Sequence, residues 1–410
     1  MNFSTFNCIQ NTLKVVVPLL GLTSLILLSN QNLNFYKHIS KLSLPNENIG
    51  VKNESQFAKI RKAILVSPMF KAVPGYAGEF PENCSVTCDI YQYKEIKPTE
   101  IGKVDAIMFH LTNGDMELMR PFLSQSDSRP EGQIWTIFTS EPAIKQTKLG
   151  QDRYVKNGIF NWTISFRSDS TIPTISKRIV EFQNVTNKPK EKFRHLQILD
   201  KFNISRLETK KRHMAAVISN CKNSFGRLDV IKELQSFGVT VDIYGKCSPN
   251  GLTCLGRMST ECYEMLEEKY YFYAAFENSN CKDYVTEKLV YPLHYDMVPV
   301  TLNGASKVLK QPSENHLAFI DAMQFSSVEE LAIYLKRVAA DRQLYQSFFE
   351  WKNHYGIVKD ETLYPLCALC LALQDGKQEV MNATADLDHW YHVDSECQKT
   401  IRFNKTSKST

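Results

Sequence analysis

Short, nearly wholly apolar, β-rich runs recur along the chain with helical patterns between them, and this alternation limits the fold more than any other feature of the sequence. Residues 63–66, 105–110 and 133–139 are such runs, read as strands of a parallel sheet buried on both faces. The stretch 182–206 is charged and loses the strand pattern, so a domain boundary is expected there. Beyond it the strand-helix-strand signal is clearest. Residues 214–219 read as a strand, 227–237 as a helix with Leu228, Ile231 and Leu234 on one face and Gly238 as its stop, and 239–244 as the next strand. Residues 270–276, a helix opening at Thr286 and a strand over 298–302 repeat the unit. Ser326 and Ser327, each three residues before Glu329 and Glu330, offer capping boxes for a helix presenting Leu331, Tyr334, Leu335 and Val338. A length of 410 residues accommodates two such domains, so the expectation is two α/β domains facing one another over 61–205 and 206–365, with a tail over 366–410.

What precedes residue 61 is different in kind. An apolar run from Val15 to Leu28, with Lys14 before it and the polar residues Ser29 to Asn32 after it, approaches the ~20 residues that span a bilayer. A cleaved signal peptide and a buried helix are the other readings, but no small-x-small cleavage site follows and a terminus is a poor place to bury a helix. The expected layout is a cytoplasmic tail over 1–12, a transmembrane anchor over 13–29 and a polar stem over 30–60, with all later residues luminal. Two features agree with a secretory compartment. Sequons for N-glycosylation stand at Asn53, Asn83, Asn161, Asn184, Asn203, Asn382 and Asn404. Cys8 lies before the anchor and ten cysteines lie beyond it, an even number that suits disulfides. Cys84 with Cys88 and Cys367 with Cys370 form close pairs. Zinc is the alternative, yet no His pair or second CxxC stands at finger spacing, so disulfides tying the 84/88 pair to the 367/370 pair are expected. The net charge of +5 is mild and scattered, which excludes a nucleic-acid partner of the usual basic kind.

In open α/β sheets, ligands sit beyond the carboxyl ends of the strands. Two segments at such ends carry chemistry. Ser219 and Asn220, leading to Arg227, place polar groups and a bidentate cation before a helix, which suits a phosphate; the bland reading is a capped turn with a solvated Arg. The run from Phe276 to Lys288 is more distinctive. A Lys in a helix's first turn opposes the helix dipole, so Lys288 points to an anion such as a diphosphate, and Glu287 is suited to accept hydrogen bonds from sugar hydroxyls.

Phe276-Glu277-Asn278-Ser279 followed by Asp283-Tyr284-Val285-Thr286-Glu287-Lys288, then Val298-Pro299-Val300 and Gly304, resembles the donor signature of the α1,3/4-fucosyltransferases. Supporting pieces occur in the same order: 105–110, Glu141-Pro142, Asn161-Trp162-Thr163 with Arg167 to Ser170, Asn220 with Arg227, Ser313 with Phe319-Ile320, Phe349 to Lys352 and the terminal cysteines. The resemblance covers residues 60 to 397 and implies a GT-B fold, with two Rossmann-like domains, an N-terminal one for the acceptor and a C-terminal one for GDP-fucose. It implies inversion at the sugar carbon and a Golgi membrane enzyme acting on glycans of glycoproteins or glycolipids. By position, Arg227 and Lys288 match residues that hold the diphosphate, Glu287 one near the ribose, and Asn220, Asn278 and Tyr284 donor-loop residues, with Glu277 and Asn278 as the ones most apt to brace the site. His110 matches the acceptor region. Glu141 matches the proposed general base, a role that fits a carboxylate at a strand's carboxyl end stiffened by Pro142, with Asp115 and Glu117 as rivals. No Asp-x-Asp clamp stands among these residues, so no cofactor is expected to be required and a divalent ion is expected at most to stimulate.

The chain also departs from the pattern. His110-Leu111 replaces paired histidines, Phe166 stands where Tyr is common, and residues 171–174 lack Pro-Tyr-Gly, so the acceptor does not carry over from the resemblance. A GT-B transferase for another sugar nucleotide and a catalytically idle binding protein are the competing readings. Retention of Glu141, Arg227, Glu287 and Lys288 weighs against the second.

Overall fold

Six short strands, β1 (Ala63–Val66), β2 (Asp89–Gln92), β3 (Ala106–His110), β4 (Ile134–Thr139), β5 (Trp162–Ser165) and β6 (Ile172–Pro173), pair in parallel in the order β2-β1-β3-β4-β5-β6. The protein is described by a computed structural model over residues 62–68, 84, 86–143, 158–174, 177–181, 196–197, 199–222, 225–254, 259–302, 311–312, 317–359, 365–375 and 387–403. Residues 59–410 form one compact unit. Every residue of β3 and β4 is buried, as continuous apolar runs predict. Alternation divides their side chains between two cores, Ile107, Phe109 and Trp135 on one face and Ala106, Met108 and Ile134 on the other.

The sequence from Pro365 onward does more for this first sheet than the expected tail. Helix Pro365–Gln374 inserts Leu366, Leu369 and Cys370 into the core of Ile64, Met108 and Trp162, while Leu387, Trp390 and Tyr391 complete the core of Phe109 and Trp135 on the opposite face. Both faces are thus closed by sequence more than 190 residues away from the last strand of the sheet, Ile172–Pro173. Cys84 is bonded to Cys367 and Cys88 to Cys370, pinning the helix to the sheet's first strands.

The segment between the sheets is less bare than its composition suggests. Strands β7 (Lys177–Glu181) and β8 (Leu196–Gln197) flank β14 (Tyr355–Lys359) in an antiparallel three-stranded sheet. The pairing partner is supplied by distant sequence, which a local reading does not see.

The second sheet follows the four expected strand positions with ends moved by at most two residues, and adds a fifth strand that was not expected. Its strands are β9 (Arg212–Val217), β10 (Val241–Tyr244), β11 (Tyr270–Ala274), β12 (Val298–Thr301) and β13 (Ile320–Asp321), all parallel, in the order β10-β9-β11-β12-β13. Helix α1 (Arg227–Ser236) buries Val230, Ile231 and Leu234 against one face. Beside it lies α2 (Val328–Ala340), whose N-cap is Ser327 alone, the Ser327 hydroxyl accepting from the Glu330 amide. Glu330 returns its carboxylate to the amide and hydroxyl of Ser326, so the two serines share one capping arrangement. Truncating a buried residue of this face, such as Leu331→Ala, is worth ~2–5 kcal/mol. The opposite face is covered by helix Thr260–Lys269, which the periodicity reading passed over; it buries Tyr263 and Leu266 beside Ala215 and Tyr273.

Among the described residues no helix is long and apolar enough to cross a membrane. The anchor expected over 13–29, the stem and the sequons at Asn53, Asn83, Asn184, Asn382 and Asn404 lie outside the described residues. Asn161 is buried, its carboxamide oxygen accepting from the Trp135 amide at 2.8 Å and from Arg129 at 3.0 Å, whereas Asn203 is exposed and caps the short turn after it.

Candidate functional site

The strands of the second sheet end where its two donor-type segments meet. After β9 the chain passes Ile218 and Asn220 and enters α1 through Gly226, whose φ of +88° is the left-handed region that glycine adopts without strain. The first helical residue, Arg227, is 3% exposed. Its guanidinium donates to the carbonyl of Phe276 at 3.0 Å and to that of Asn220 at 2.8 Å, so one side chain fastens the two segments together. Burial pulls its pKa below the usual arginine value, partly countered by the nearby carboxylate of Glu277. The Asn220 loop is held from the other side as well. Cys221 is bonded to Cys247, and at Gly245, with φ of +94°, an added Cβ would stand 2.9 Å from the Ile218 carbonyl, so only glycine permits this approach.

The second segment is built around Glu277, 2% exposed. One carboxylate oxygen accepts from the amide and hydroxyl of Thr286 at 2.8 and 2.7 Å; the other accepts from the Lys288 ammonium at 2.9 Å. Lys288 also donates to the Thr286 hydroxyl at 2.9 Å and lies 3.6 Å from Glu287. Burial alone would lower the Lys288 pKa, but Glu277 and Glu287 outweigh it and hold the ammonium above its ordinary value, charged at any physiological pH. The helix over Glu287–Val290 is a single turn, followed by a 3₁₀ turn at Pro292–His294. Its dipole is therefore small, and Lys288 owes its place to Glu277, not to a clash with the dipole that an anion would relieve. Glu277 braces both the turn and the cation.

The carboxyl ends of the two sheets meet across this segment. Asp283, at φ +61°, accepts from the amide and hydroxyl of Ser168 at 3.0 and 2.6 Å; a short polar side chain is among the few that tolerate that backbone. Phe166 packs edge-on against Tyr284 at 5.0 Å. Tyr284 is buried, which raises its pKa, and it lies in the electrostatic reach of Glu277, Glu141, Glu287 and Arg227 together. Tyr284 thus lies between the first sheet's Glu141 and the second sheet's Glu277, Glu287 and Arg227.

Glu141 sits just beyond β4 and is partly exposed. Its backbone is held firmly: the amide donates to the Thr139 hydroxyl at 3.2 Å, and the carbonyl accepts from Thr139 at 3.0 Å and from the Tyr391 phenol at 2.9 Å. The rival carboxylates are placed differently. Asp115 is buried and turned toward His110 Nδ1 at 2.9 Å, with the Ser67 hydroxyl at 3.4 Å, and Glu117 is exposed on the surface of the helix Asn113–Leu118. His110 is stacked on Phe138 at the end of β3, one strand from Glu141.

Sequence reasoning assigned no role to Arg167, Trp390, Ser395 and Cys397. Arg167, 1% exposed, pairs with Asp169, donates to the Trp390 carbonyl and to Ser395 Oγ, and stacks on the Trp390 ring at 4.5 Å. Cys397 is bonded to Cys281 inside the run from Phe276 to Lys288, and the last pair, Cys254 with Cys262, tethers the helix Thr260–Lys269. An odd cysteine after residue 370, with another in the donor segment, was the available signal. Among the described residues, no group of three or more His, Cys, Asp or Glu is arranged to hold a metal ion.

The family model described as Glycosyltransferase family 10 (fucosyltransferase) C-term matches residues 207–390, and that described as Fucosyltransferase, N-terminal matches 63–176. The chain is 33% identical over 328 residues to alpha-(1,3)-fucosyltransferase C of Drosophila melanogaster, covering 77% of this chain and 71% of that protein. It is 30% identical over 250 residues to GDP-fucose protein O-fucosyltransferase 3 of Xenopus tropicalis, covering 60% of this chain and half of that protein. A solved alpha1,3-fucosyltransferase with GDP-fucose superposes over 80% of this chain and 95% of its own, at 14% identity and a TM-score of 0.47, too loose an overlay to argue from. On the two family matches and the identity to the Drosophila enzyme, the chain belongs to glycosyltransferase family 10, the fucosyltransferases, and is a transferase.

Proposed function

We propose that the protein transfers L-fucose from GDP-fucose to a GlcNAc or related sugar of a glycoprotein or glycolipid glycan, in α1,3 linkage and with inversion, as a type II enzyme of the Golgi membrane. The observation that carries this reading is the meeting of the two sheets' carboxyl ends, where Ser168 bonds Asp283 and Phe166 packs on Tyr284, with the backbone-anchored Glu141 on the first side and Arg227 and Lys288 on the second. Arg227 and Lys288 suit a diphosphate: Arg227 is buried and Lys288 half-buried, and both are tied to Phe276-Glu277. Glu287, partly exposed beside Lys288, suits the ribose hydroxyls, and Asn220, Asn278 and Tyr284 line the donor segments. On this reading the domains are divided as the sequence suggests, 61–205 for the acceptor and 206–365 for the donor, with residues 366–410 returning to the first.

In the reaction the acceptor hydroxyl loses its proton to the Glu141 carboxylate as its oxygen attacks the fucose carbon from the face opposite GDP. The carbon–oxygen bond to the diphosphate breaks, and the charge that grows on GDP is met by Lys288 and Arg227. These two cations do the work that a divalent ion does elsewhere, so a metal is expected to be dispensable. The alternative acceptor is a hydroxyl of a protein side chain, favoured by the similarity to the Xenopus protein O-fucosyltransferase. The test is to incubate the purified protein with GDP-fucose and an array of N-glycans, LacNAc and LacdiNAc units and folded peptide acceptors, with and without EDTA, and to read linkage and anomeric configuration by NMR. An α1,3-fucosylated glycan formed in EDTA is the expected product. Fucose on serine or threonine alone, or activity only with a divalent ion, would overturn the acceptor or the metal-independent part of the reading.

A further inference from the structure

The structure assigns Tyr391 a positioning role: we infer that its phenol, through the Glu141 carbonyl, sets the aim of the catalytic carboxylate, and that the C-terminal segment carrying it keeps that carboxylate in register with the donor loop. The inference rests on Glu141 being the base. Tyr391 is 2% exposed, and its Oη donates to the Glu141 carbonyl at 2.9 Å. That carbonyl belongs to the peptide joining Glu141 to Pro142, where no amide hydrogen is available to anchor the chain on the far side. The bonds from Tyr391 and Thr139 therefore fix the peptide plane, and with it the direction in which the Glu141 side chain leaves the backbone. Burial holds the phenol protonated well beyond neutral pH, so it donates throughout the enzyme's working range.

The same short segment grips the donor loop. Lys282 donates its amide to the Ser395 carbonyl at 2.8 Å, Gln398 donates its amide to the Asn280 carbonyl at 2.8 Å, and Cys397 is bonded to Cys281. In the same segment Trp390 and Ser395 receive Arg167 from the first sheet. Residues 390–398 thus touch the base on one side and the donor segment on the other, within nine residues of chain. A misplacement of reacting groups by a fraction of an ångström to one ångström lowers rates by one to two orders of magnitude, so the expected loss from removing the hydroxyl is about tenfold.

A double-mutant cycle tests this. Tyr391→Phe keeps the ring and its packing while deleting the bond to Glu141; turnover is counted per GDP-binding site, so a poorly folded fraction does not contribute. The expected result is about tenfold lower kcat with unchanged KM for GDP-fucose in the wild-type background, and less than about twofold loss when Glu141→Gln is already present, because a residue acting through the carboxylate has nothing left to aim. Wild-type turnover in Tyr391→Phe, or the same fractional loss in both backgrounds, overturns the inference while leaving the base assignment intact. Near wild-type turnover in Glu141→Gln alone instead removes the base assignment itself.

Discussion

The two rims that meet at Tyr284 solve the problem of holding a charged group in different ways. On the second sheet, charge holds charge: Glu277 fixes Lys288 and the turn that carries it, and Arg227 is clasped by two carbonyls, so the cations are placed before any ligand arrives. On the first sheet the carboxylate of Glu141 is placed indirectly, through bonds to its own backbone from Thr139 and Tyr391. The difference follows from the tasks proposed. A site for a diphosphate gains from preorganised positive charge, whereas a base must hold its carboxylate within reach of the acceptor hydroxyl that it deprotonates.

This contrast predicts a graded set of effects. The largest is expected for Lys288→Ala. It removes a cation from the diphosphate and strands the buried Glu277, so kcat/KM for GDP-fucose should fall ~10²–10³-fold by analogy with loss of a transition-state donor, and the fold should lose ~3–5 kcal/mol, as broken buried pairs do. A melting curve beside donor kinetics separates the two; normal kinetics in a destabilised protein would mean that Lys288 serves the fold alone. Arg227→Ala is expected to damage donor use in the same direction.

Next comes Glu141→Gln, expected to keep GDP affinity while transfer falls ~10²-fold or more, the scale for losing a general base. Glu277→Gln should come third. The isosteric amide still accepts from Thr286 but no longer balances Lys288, and a donor KM raised about tenfold, with kcat changed less, is expected from the weakened placement. A donor KM equal to wild type would show that Lys288 finds its position without Glu277.

The smallest kinetic effect is expected at Asp115→Asn. The carboxylate faces His110 and Ser67, so transfer should change less than about threefold if Glu141 is the base. A dead Asp115→Asn beside an active Glu141→Gln would exchange their roles. Separately, replacing Cys84 and Cys367 by serine should cost ~2–4 kcal/mol of stability without changing the donor KM, because that bridge clamps a helix to the first sheet and lies in neither rim.

How far the sequence revealed this arrangement differs between the same two regions. The second sheet was legible in four of its five strands, since these and the helices between them are contiguous βαβ units whose periodicity is local, and the run from Phe276 to Lys288 stands out by itself as the loop proposed for the donor. The function of Glu277 was legible only as a bracing tendency; its partners Thr286 and Lys288 become evident once the turn brings them round. The first sheet was legible as strands, but its closure was not. Leu366, Leu369, Trp390 and Tyr391 reach it from the far end of the chain, and nothing in the local pattern around Trp390 announces contact with Arg167 or Glu141. Helix Thr260–Lys269 was missed because its apolar side is built from Cys262, Tyr263 and Leu266 among glutamates, a narrow stripe.

The division of labour between the rims is tested most directly by isothermal titration of GDP into the wild-type protein and into Lys288→Ala, Arg227→Ala, Glu141→Gln and Tyr391→Phe under identical salt. The account predicts that the two cation variants lose at least about tenfold in affinity, the loss of a charge-assisted contact of ~1.5–3 kcal/mol, while the two first-sheet variants bind within about twofold of wild type. Undiminished GDP binding in Lys288→Ala and Arg227→Ala, or binding abolished in Glu141→Gln, would contradict it.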